Sequence, residues 1–216
     1  MIKRIVGILI PLITCTALVA QSDPVAASGQ YSKVYSGKEV AFEKVVAGHV
    51  AKWHGPDQWP TFAALVTNGP RMGQYFMGTT GHYWKDYAER KTTKAHNDEW
   101  QNIIQKYVEE QSGMMQFEKQ LDASYNDRSA PMWEETIYYT KPGKRGKMLD
   151  ILQRGAEASR QANFKGSSGA YSIISGGEQD GMLVLVTRMD SMADLAPPTT
   201  SIRERWVSAY GEEVFE

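Results

Sequence analysis

The chain repeats one arrangement of turn residues in its two halves. Gly37-Lys38 recurs 106 positions later as Gly143-Lys144. Four further residues recur 108 positions later: Gly69, Gly73, Thr79 and Asp86 as Gly177, Gly181, Thr187 and Asp194. Because the spacing changes by only two residues over that length, the pattern indicates one supersecondary unit used twice.

Each copy has hydrophobic patterns typical of a strand, a helix, a hairpin and a second helix. In the first copy these predict strands at 31–35, 62–67, 74–79 and 114–121, with helices ending near Trp53 and spanning 97–111. In the second copy they predict strands at 136–140, 170–175 and 182–187, a helix whose inner face runs from Met148 to Ser159, a second helix at 201–210 and a shortened strand at 212–216. The run Met182 to Val186 is apolar without alternation, so we expect both of its faces to be covered.

The N-terminal segment predicts export. Lys3 and Arg4 precede an uncharged apolar run that ends at Ala20, as in a secretory signal peptide. The run is shorter than the roughly 20 residues of a membrane-spanning helix, so we expect no stable membrane insertion after cleavage. The predicted organisation is a signal peptide at 1–20, a flexible leader at 21–29, a first unit at 30–121, a linker at 122–133 and a second unit at 134–216.

Charge and cysteine content exclude two classes of protein. The 24 basic and 25 acidic residues form no basic block, so a nucleic-acid partner is not expected. Cys15 is the only cysteine and lies in the predicted signal peptide, so the mature chain would form no disulfide and would depend on its core.

The order strand, helix, hairpin, helix, strand resembles the ferredoxin-like units of the dimeric alpha-beta barrel superfamily. The best marks of this resemblance are Lys141-Pro142-Gly143-Lys144 and the hairpins at Gly69 and Gly177. It implies an α+β fold of two tandem units whose antiparallel sheets carry helices on one face and pair into a barrel. The chain is most similar to the antibiotic-biosynthesis-monooxygenase branch of a superfamily that also includes haem enzymes, isomerases and domains of unknown activity. Fold alone therefore does not assign function.

All four histidines lie in the first half of the chain. His49 and Trp53 are four residues apart and share one helical face, and His82 follows a predicted strand. Either imidazole could act as a general base, so we take His49 and His82 as candidate catalytic residues. Trp53, Tyr75 and Trp84 are the candidate ligand-binding residues, because aromatic faces suit a planar apolar molecule. Structural roles in the core and in a loop are the alternative for all five.

No metal site or cofactor is predicted. His49 and His54 are five residues apart, which would place them on different sides of a continuous helix. The superfamily resemblance implies that haem relatives use a helical histidine as axial ligand, and the second half of this chain has no histidine. Haem binding would therefore need a histidine of the first unit or a different ligand.

The leading hypothesis is an exported protein that binds a small apolar or aromatic molecule in a pocket of the first unit, as a monomer or a homodimer. By resemblance, the alternative is a cofactor-independent oxygenase acting on an aromatic or quinol substrate. A third hypothesis is a structural or interaction domain without a ligand.

Overall fold

The computed structural model describes residues 23–55, 59–176 and 182–215. The first half of the chain contains five strands and three helices: β1 Ala26–Val34, α1 Glu39–Trp53, β2 Phe62–Leu65, β3 Tyr75–His82, α2 Trp84–Glu89, α3 Lys94–Glu99, β4 Val108–Gln111 and β5 Met115–Lys119. The second half contains three strands and two helices: β6 Met132–Tyr138, α4 Arg145–Gln161, β7 Ser168–Ser175, β8 Leu183–Met189 and α5 Ile202–Tyr210. No helix among the described residues is long and apolar enough to cross a membrane.

All eight strands belong to one curled antiparallel sheet. Its order is β2, β3, β1, β5, β7, β8, β6, and β4 also pairs with β1. The two halves of the chain join where β5 pairs with β7, with Phe117 opposite Ile173. The curl brings edge strands β2 and β6 together through side chains, since the rings of Phe62 and Trp133 lie 5.7 Å apart.

Helix α1 covers the outer face of the sheet in the first half. Phe42, Val46 and His49 are its buried residues, in agreement with the helical spacing of the sequence. Phe42 is 1% exposed and packs with Tyr75 and Ile104. In the second half α5 packs on α4, where Gly155 leaves room for the indole of Trp206.

The inner face of the sheet holds a second core built from both halves. Tyr171, Ile173, Val184 and Val186 form one cluster, which Phe117 joins to a neighbouring cluster around Phe76. Val184 and Val186 belong to β8, which pairs with β6 on one side and β7 on the other. Both lie on the inner face of that strand, and Leu183 is fully buried on its opposite face. The prediction that both faces of this strand are covered is confirmed.

Several sequence-based boundaries are wrong. Strand β1 begins at Ala26, inside the predicted leader, because Ala26 and Ala27 pair with β3 and β5 and are buried. The predicted helix at 97–111 is a short α3, a π turn and a 3₁₀ turn followed by β4, because pairing with β1 places 108–111 in the sheet. The predicted last strand is a 3₁₀ turn at Glu212–Phe215. The signal peptide at 1–20 and the Gly177 and Gly181 repeats lie outside the described residues.

Candidate functional site

A cavity of about 1270 Å³ opens along the inner face of the sheet between β2 and β6. A smaller one of about 60 Å³ shares several lining residues with it. Half of the ten shared residues are aromatic: Tyr31, Phe62, Phe76, Trp133 and Tyr171. They come from both halves of the chain, so the cavity belongs to neither half alone.

The alternation of strand residues directs these side chains inward. On β6, Trp133, Glu135 and Ile137 line the cavity while Glu134 and Thr136 are exposed. The ring of Phe76 fits because Gly29 and Gly78 are paired directly across β1 and β3. A Cβ at Gly29 would collide with that ring, and one at Gly78 would lie 2.9 Å from the carbonyl oxygen of Ser28.

Glu135 is the carboxylate of the aromatic part of the cavity. It accepts a 2.7 Å hydrogen bond from the hydroxyl of Tyr31 and a 3.0 Å hydrogen bond from Nε1 of Trp133. Burial, followed by the charge of Glu135, raises the pKa of Tyr31 above its ordinary value. Tyr31 therefore stays protonated and holds the carboxylate in place. The guanidinium of Arg71 lies 4.2 Å from the centre of the Tyr31 ring, at the cavity wall.

Asp127 organises a second polar group at the cavity wall. It forms ion pairs with Lys119 at 2.7 Å and with Arg188 at 3.0 Å. The hydroxyl of Tyr171 donates to the same carboxylate at 3.2 Å. Burial opposes ionisation, but the bonds from Lys119 and Arg188 outweigh it and lower the pKa of Asp127. Burial, and then Asp127, raises the pKa of Tyr171 to about 12.

The five residues selected from the sequence lie elsewhere, and none of them lines either cavity. Tyr75 packs in the outer core, where its hydroxyl donates to Glu43 at 2.7 Å. Trp84 begins α2 and its ring lies 5.7 Å from that of Tyr87. The predicted pocket is therefore not assembled from these residues.

His82 is held between an aromatic ring and a hydroxyl. Its ring stacks on Trp59 at 3.8 Å with an interplanar angle of 8°. Its Nε2 donates to the hydroxyl oxygen of Thr79, whose own proton goes to the carbonyl oxygen of Pro60. Burial lowers the pKa of His82, so the ring is neutral at neutral pH. These contacts anchor the end of β3.

His49 lies in a group of histidines on the outer side of the sheet. It is 2% exposed, and its Nδ1 lies 3.1 Å from Oε1 of Glu99. The rings of His54 and His96 lie 5.3 and 4.9 Å from it, and Trp53 meets His96 edge-on at 5.4 Å. Burial lowers the pKa of His49 and of His54.

The expectation that His49 and His54 point to different sides of a helix is wrong. Helix α1 ends at Trp53, and His54 has left helical geometry with φ of −131° and ψ of 39°. Nδ1 of His54 contacts the carbonyl oxygen of Trp59. Helical spacing therefore does not apply to this pair.

Sequence reasoning missed Tyr31, Trp133 and Glu135. Trp133 falls inside the predicted linker at 122–133, and β6 begins at Met132. The signal was present as the alternation of Trp133, Glu135 and Ile137. The alternation indicates a site only once the sheet has curled, because the curl brings β1 with Tyr31 opposite these residues of β6.

No protein-family model matches the sequence. No curated protein matches it either.

Solved structures resemble the fold over most of its length. A monooxygenase-like protein from Fusobacterium nucleatum is 14% identical with a TM-score of 0.58, covering 89% of this chain and 84% of its own. A monooxygenase-like protein from Lactobacillus acidophilus NCFM is 6% identical with a TM-score of 0.57, covering 86% of each chain. An anthrone oxidase-like protein is 10% identical with a TM-score of 0.51, covering 88% of this chain and 85% of its own. These neighbours and the chlorite dismutases that also match share the fold of the present chain, in agreement with the predicted alpha-beta barrel fold. At these identities the likeness concerns the fold alone.

The residues present do not suit the haem site that the resemblance implies. Helix α4, which covers the second half, carries no histidine. In the first half, His49 is enclosed by His54, His96 and Trp100 and lines neither cavity. We therefore assign no step to haem.

Proposed function

We propose that this chain, a dimeric alpha-beta barrel by fold, is an exported protein that binds a planar aromatic molecule on the inner face of its sheet. One observation carries the proposal. Aromatic rings from both halves of the chain form one part of the wall of the cavity between β2 and β6, and the polar groups of Glu135, Arg188 and Arg71 lie beside them. Apolar walls with a small number of directed polar groups are typical of small-molecule sites.

The chemistry of the lining favours an aromatic ligand with an oxygen substituent. Tyr31, Phe62, Phe76 and Trp133 offer ring faces and edges that suit a flat apolar body. Glu135 and Asp127 already have partners, whereas Arg71 is held by the Tyr31 ring and keeps its guanidinium N–H groups for other acceptors. A phenolate or carboxylate on the ligand would accept from Arg71.

We also propose that the two halves are copies of one ferredoxin-like unit fused in tandem. In the first half the strands run in the order β2, β3, β1 and then β4 with β5, and in the second half the order is β7, β8, β6. These orders correspond when the second copy lacks its last strand. The pairing of β5 with β7 and the inner contacts would then replace the association of separate units.

Binding is tested by calorimetric titration of a panel of hydroxylated and carboxylated aromatic compounds into the full mature chain. The expected result is one ligand per chain, with affinity reduced about tenfold or more in Arg71→Ala, since a charge-assisted hydrogen bond contributes about 1.5–3 kcal/mol. Arg154→Ala is the matched control. Its guanidinium also stacks on a tyrosine, 4.5 Å from Tyr210, but it lines neither cavity. Absence of binding across the panel would contradict the proposal and favour a structural domain.

A cofactor-independent oxygenase is the second candidate, supported at the level of fold by the monooxygenase-like neighbours. Within the cavity, the carboxylate beside the aromatic rings is Glu135, while His49 and His82 lie outside. Oxygen uptake with the same panel tests this candidate. Uptake that is lost in Glu135→Gln and kept in His82→Gln would support it, and absence of uptake would count against it.

Export is tested by fractionation of the native cells and N-terminal sequencing of the mature protein. We expect the protein outside the cytoplasm with its first residue near Gln21, because Ala20 ends the apolar run. An intact N-terminus on a cytoplasmic protein would contradict this.

A further inference from the structure

Three histidines from separate parts of the first half meet on the outer side of the sheet. His49 comes from the buried face of α1, His54 from the residue after that helix, and His96 from α3. One ring nitrogen from each lies within 4.8 Å of the others. This group is separate from the inner cavity, whose lining includes none of the three.

The Nδ1 atom of each ring faces an acceptor. In His49 it lies 3.1 Å from the Glu99 carboxylate. In His54 it lies 3.0 Å from the carbonyl oxygen of Trp59 and 3.1 Å from the hydroxyl oxygen of Thr61, whose own proton goes to the same carbonyl oxygen. In His96 it lies 3.3 Å from Oδ1 of Asn97. A neutral imidazole has one N–H, so these contacts place the proton on Nδ1 and leave a lone pair on Nε2. All three rings are therefore in the tautomer that binds metal through Nε2.

The Nε2 atoms of His54 and His96 are spaced as metal ligands are. Nε2 of His54 and Nε2 of His96 lie 3.2 Å apart, although both carry lone pairs in this tautomer. Two ligands bound to zinc at about 2.0–2.1 Å with tetrahedral angles lie about 3.3–3.4 Å apart. Nε2 of His49 is buried without a hydrogen-bond partner, on a residue that is 2% exposed. A cation bound by the His54 and His96 nitrogens would also give the buried Nε2 of His49 a partner once that ring lies within bonding distance, whereas a shared proton would satisfy two of the three atoms.

We propose that His49, His54 and His96 bind one divalent zinc ion through their Nε2 atoms. Three imidazole ligands suit zinc and leave a fourth position for water. His54 and His96 are half-buried, so the ion reaches solvent on their side. Glu99 and the carbonyl oxygen of Trp59 orient the rings, as outer partners do at other histidine–metal sites.

Both negative and positive side chains lie near the three histidines. Glu99 is shared between His49 and Lys52, and the hydrogen bond from Lys52 lowers the pKa of Glu99 to about 2, so this residue is a carboxylate at neutral pH. Arg90 lies near enough to His54 to disfavour its protonated form. At His49 burial outweighs the opposing effect of Glu99, and at His54 burial acts together with Arg90, so the pKa of each of these two rings is lowered.

Zinc titration of the full mature chain after chelator dialysis tests the site. We expect one ion per chain and a loss of affinity of at least about 100-fold in His54→Gln and in His96→Gln, since even outer-partner changes cost 10–100-fold. These two residues lie outside the hydrophobic core clusters, so the variants are expected to fold, and circular dichroism checks this. Co²⁺ in place of zinc should give the visible absorption of a tetrahedral site.

His82→Gln is the matched control, because it removes the remaining histidine of the same half without touching the group. It should bind zinc as the unaltered chain does. Absence of stoichiometric zinc binding, or equal affinity in His96→Gln and in the unaltered chain, would overturn the proposal. Loss of binding in His82→Gln equal to that in His96→Gln would overturn it as well.

Discussion

The hydroxyl of Tyr31 on β1 donates a 2.7 Å hydrogen bond to Glu135 on β6, although β5, β7 and β8 lie between these strands in the sheet. The bond therefore crosses the interior of the curl. Because Tyr31 belongs to the first half and Glu135 to the second, it also joins the two halves at the wall of the cavity.

Loss of this bond should destabilise the protein. Tyr31→Phe removes the donor and leaves Glu135 with Trp133 as its remaining partner, so we expect the free energy of unfolding to fall by about 1.5–3 kcal/mol. Urea unfolding measures the change. Tyr35→Phe, on a side chain that is 49% exposed, should stay within about 0.5 kcal/mol. Equal stability of Tyr31→Phe and the unaltered chain would show that the crossing bond contributes nothing.

The paired glycines beneath Phe76 should not tolerate a methyl group. In Gly29→Ala the new Cβ would push the ring of Phe76 toward the cavity, so we expect a loss of about 1–3 kcal/mol and weaker ligand binding. Gly48→Ala is the comparison variant. It lies on the exposed side of α1 with open space around it and should gain about 0.5–1 kcal/mol from helix propensity. Thermal unfolding distinguishes the two, and a Gly29→Ala protein of unchanged stability would be inconsistent with the packing described.

Asp127 should contribute to acid sensitivity. Its pKa is lowered in the folded chain, because the bonds from Lys119 and Arg188 outweigh burial. As pH falls, Asp127 is therefore protonated in the unfolded chain before it is protonated in the folded one. Its contribution to folding stability is complete above the ordinary aspartate pKa near 3.9 and is lost as pH falls below that value.

Asp127→Asn should therefore be less stable than the unaltered chain at pH 7 by about 1.5–3 kcal/mol, with the difference narrowing below about pH 4. Unfolding curves at a series of pH values measure this. A stability difference between Asp127→Asn and the unaltered chain that widens toward low pH would contradict this prediction. The charged and titratable groups that face Asp127 are Lys119, Arg188 and Tyr171.

Zinc should stabilise the fold if the histidine group binds it. Free zinc at about 100 times its dissociation constant should raise the free energy of unfolding by about 2.7 kcal/mol, and chelation should reverse the change. The same zinc concentration should leave His96→Gln unaffected. A shift of equal size in His96→Gln would indicate binding elsewhere.

Sequence pattern predicted the elements best where helical or strand spacing agrees with the final packing. The face of α1 with Phe42, Val46 and His49 is buried as expected, and Ser201 caps α5 by accepting from the backbone of Glu204. The pattern failed at 97–111. Thr93 caps the shorter helix α3. The last four residues, 108–111, form strand β4 because they pair with β1, which is distant in the sequence.

The candidate site was less accessible to prediction, because it depends on contacts between distant segments. Trp133 and Glu135 face Tyr31 only after the sheet has curled. The histidine group likewise requires α1 to end at Trp53 and the following loop to return His54 toward His96. The spacing of residues along a helix predicts neither the curl of the sheet nor the contact between His54 and His96.

Methyl NMR during ligand titration tests most directly whether the inner face of the sheet is the binding site. Ile173 and Ile104 are isoleucines buried to 1% and 0% exposure, the first in the inner core and the second in the outer core beneath α1. An aromatic ligand in the cavity should shift the methyl resonances of Ile173 and leave those of Ile104 unchanged. Shifts at Ile104 with none at Ile173 would place the ligand on the wrong face and contradict the account.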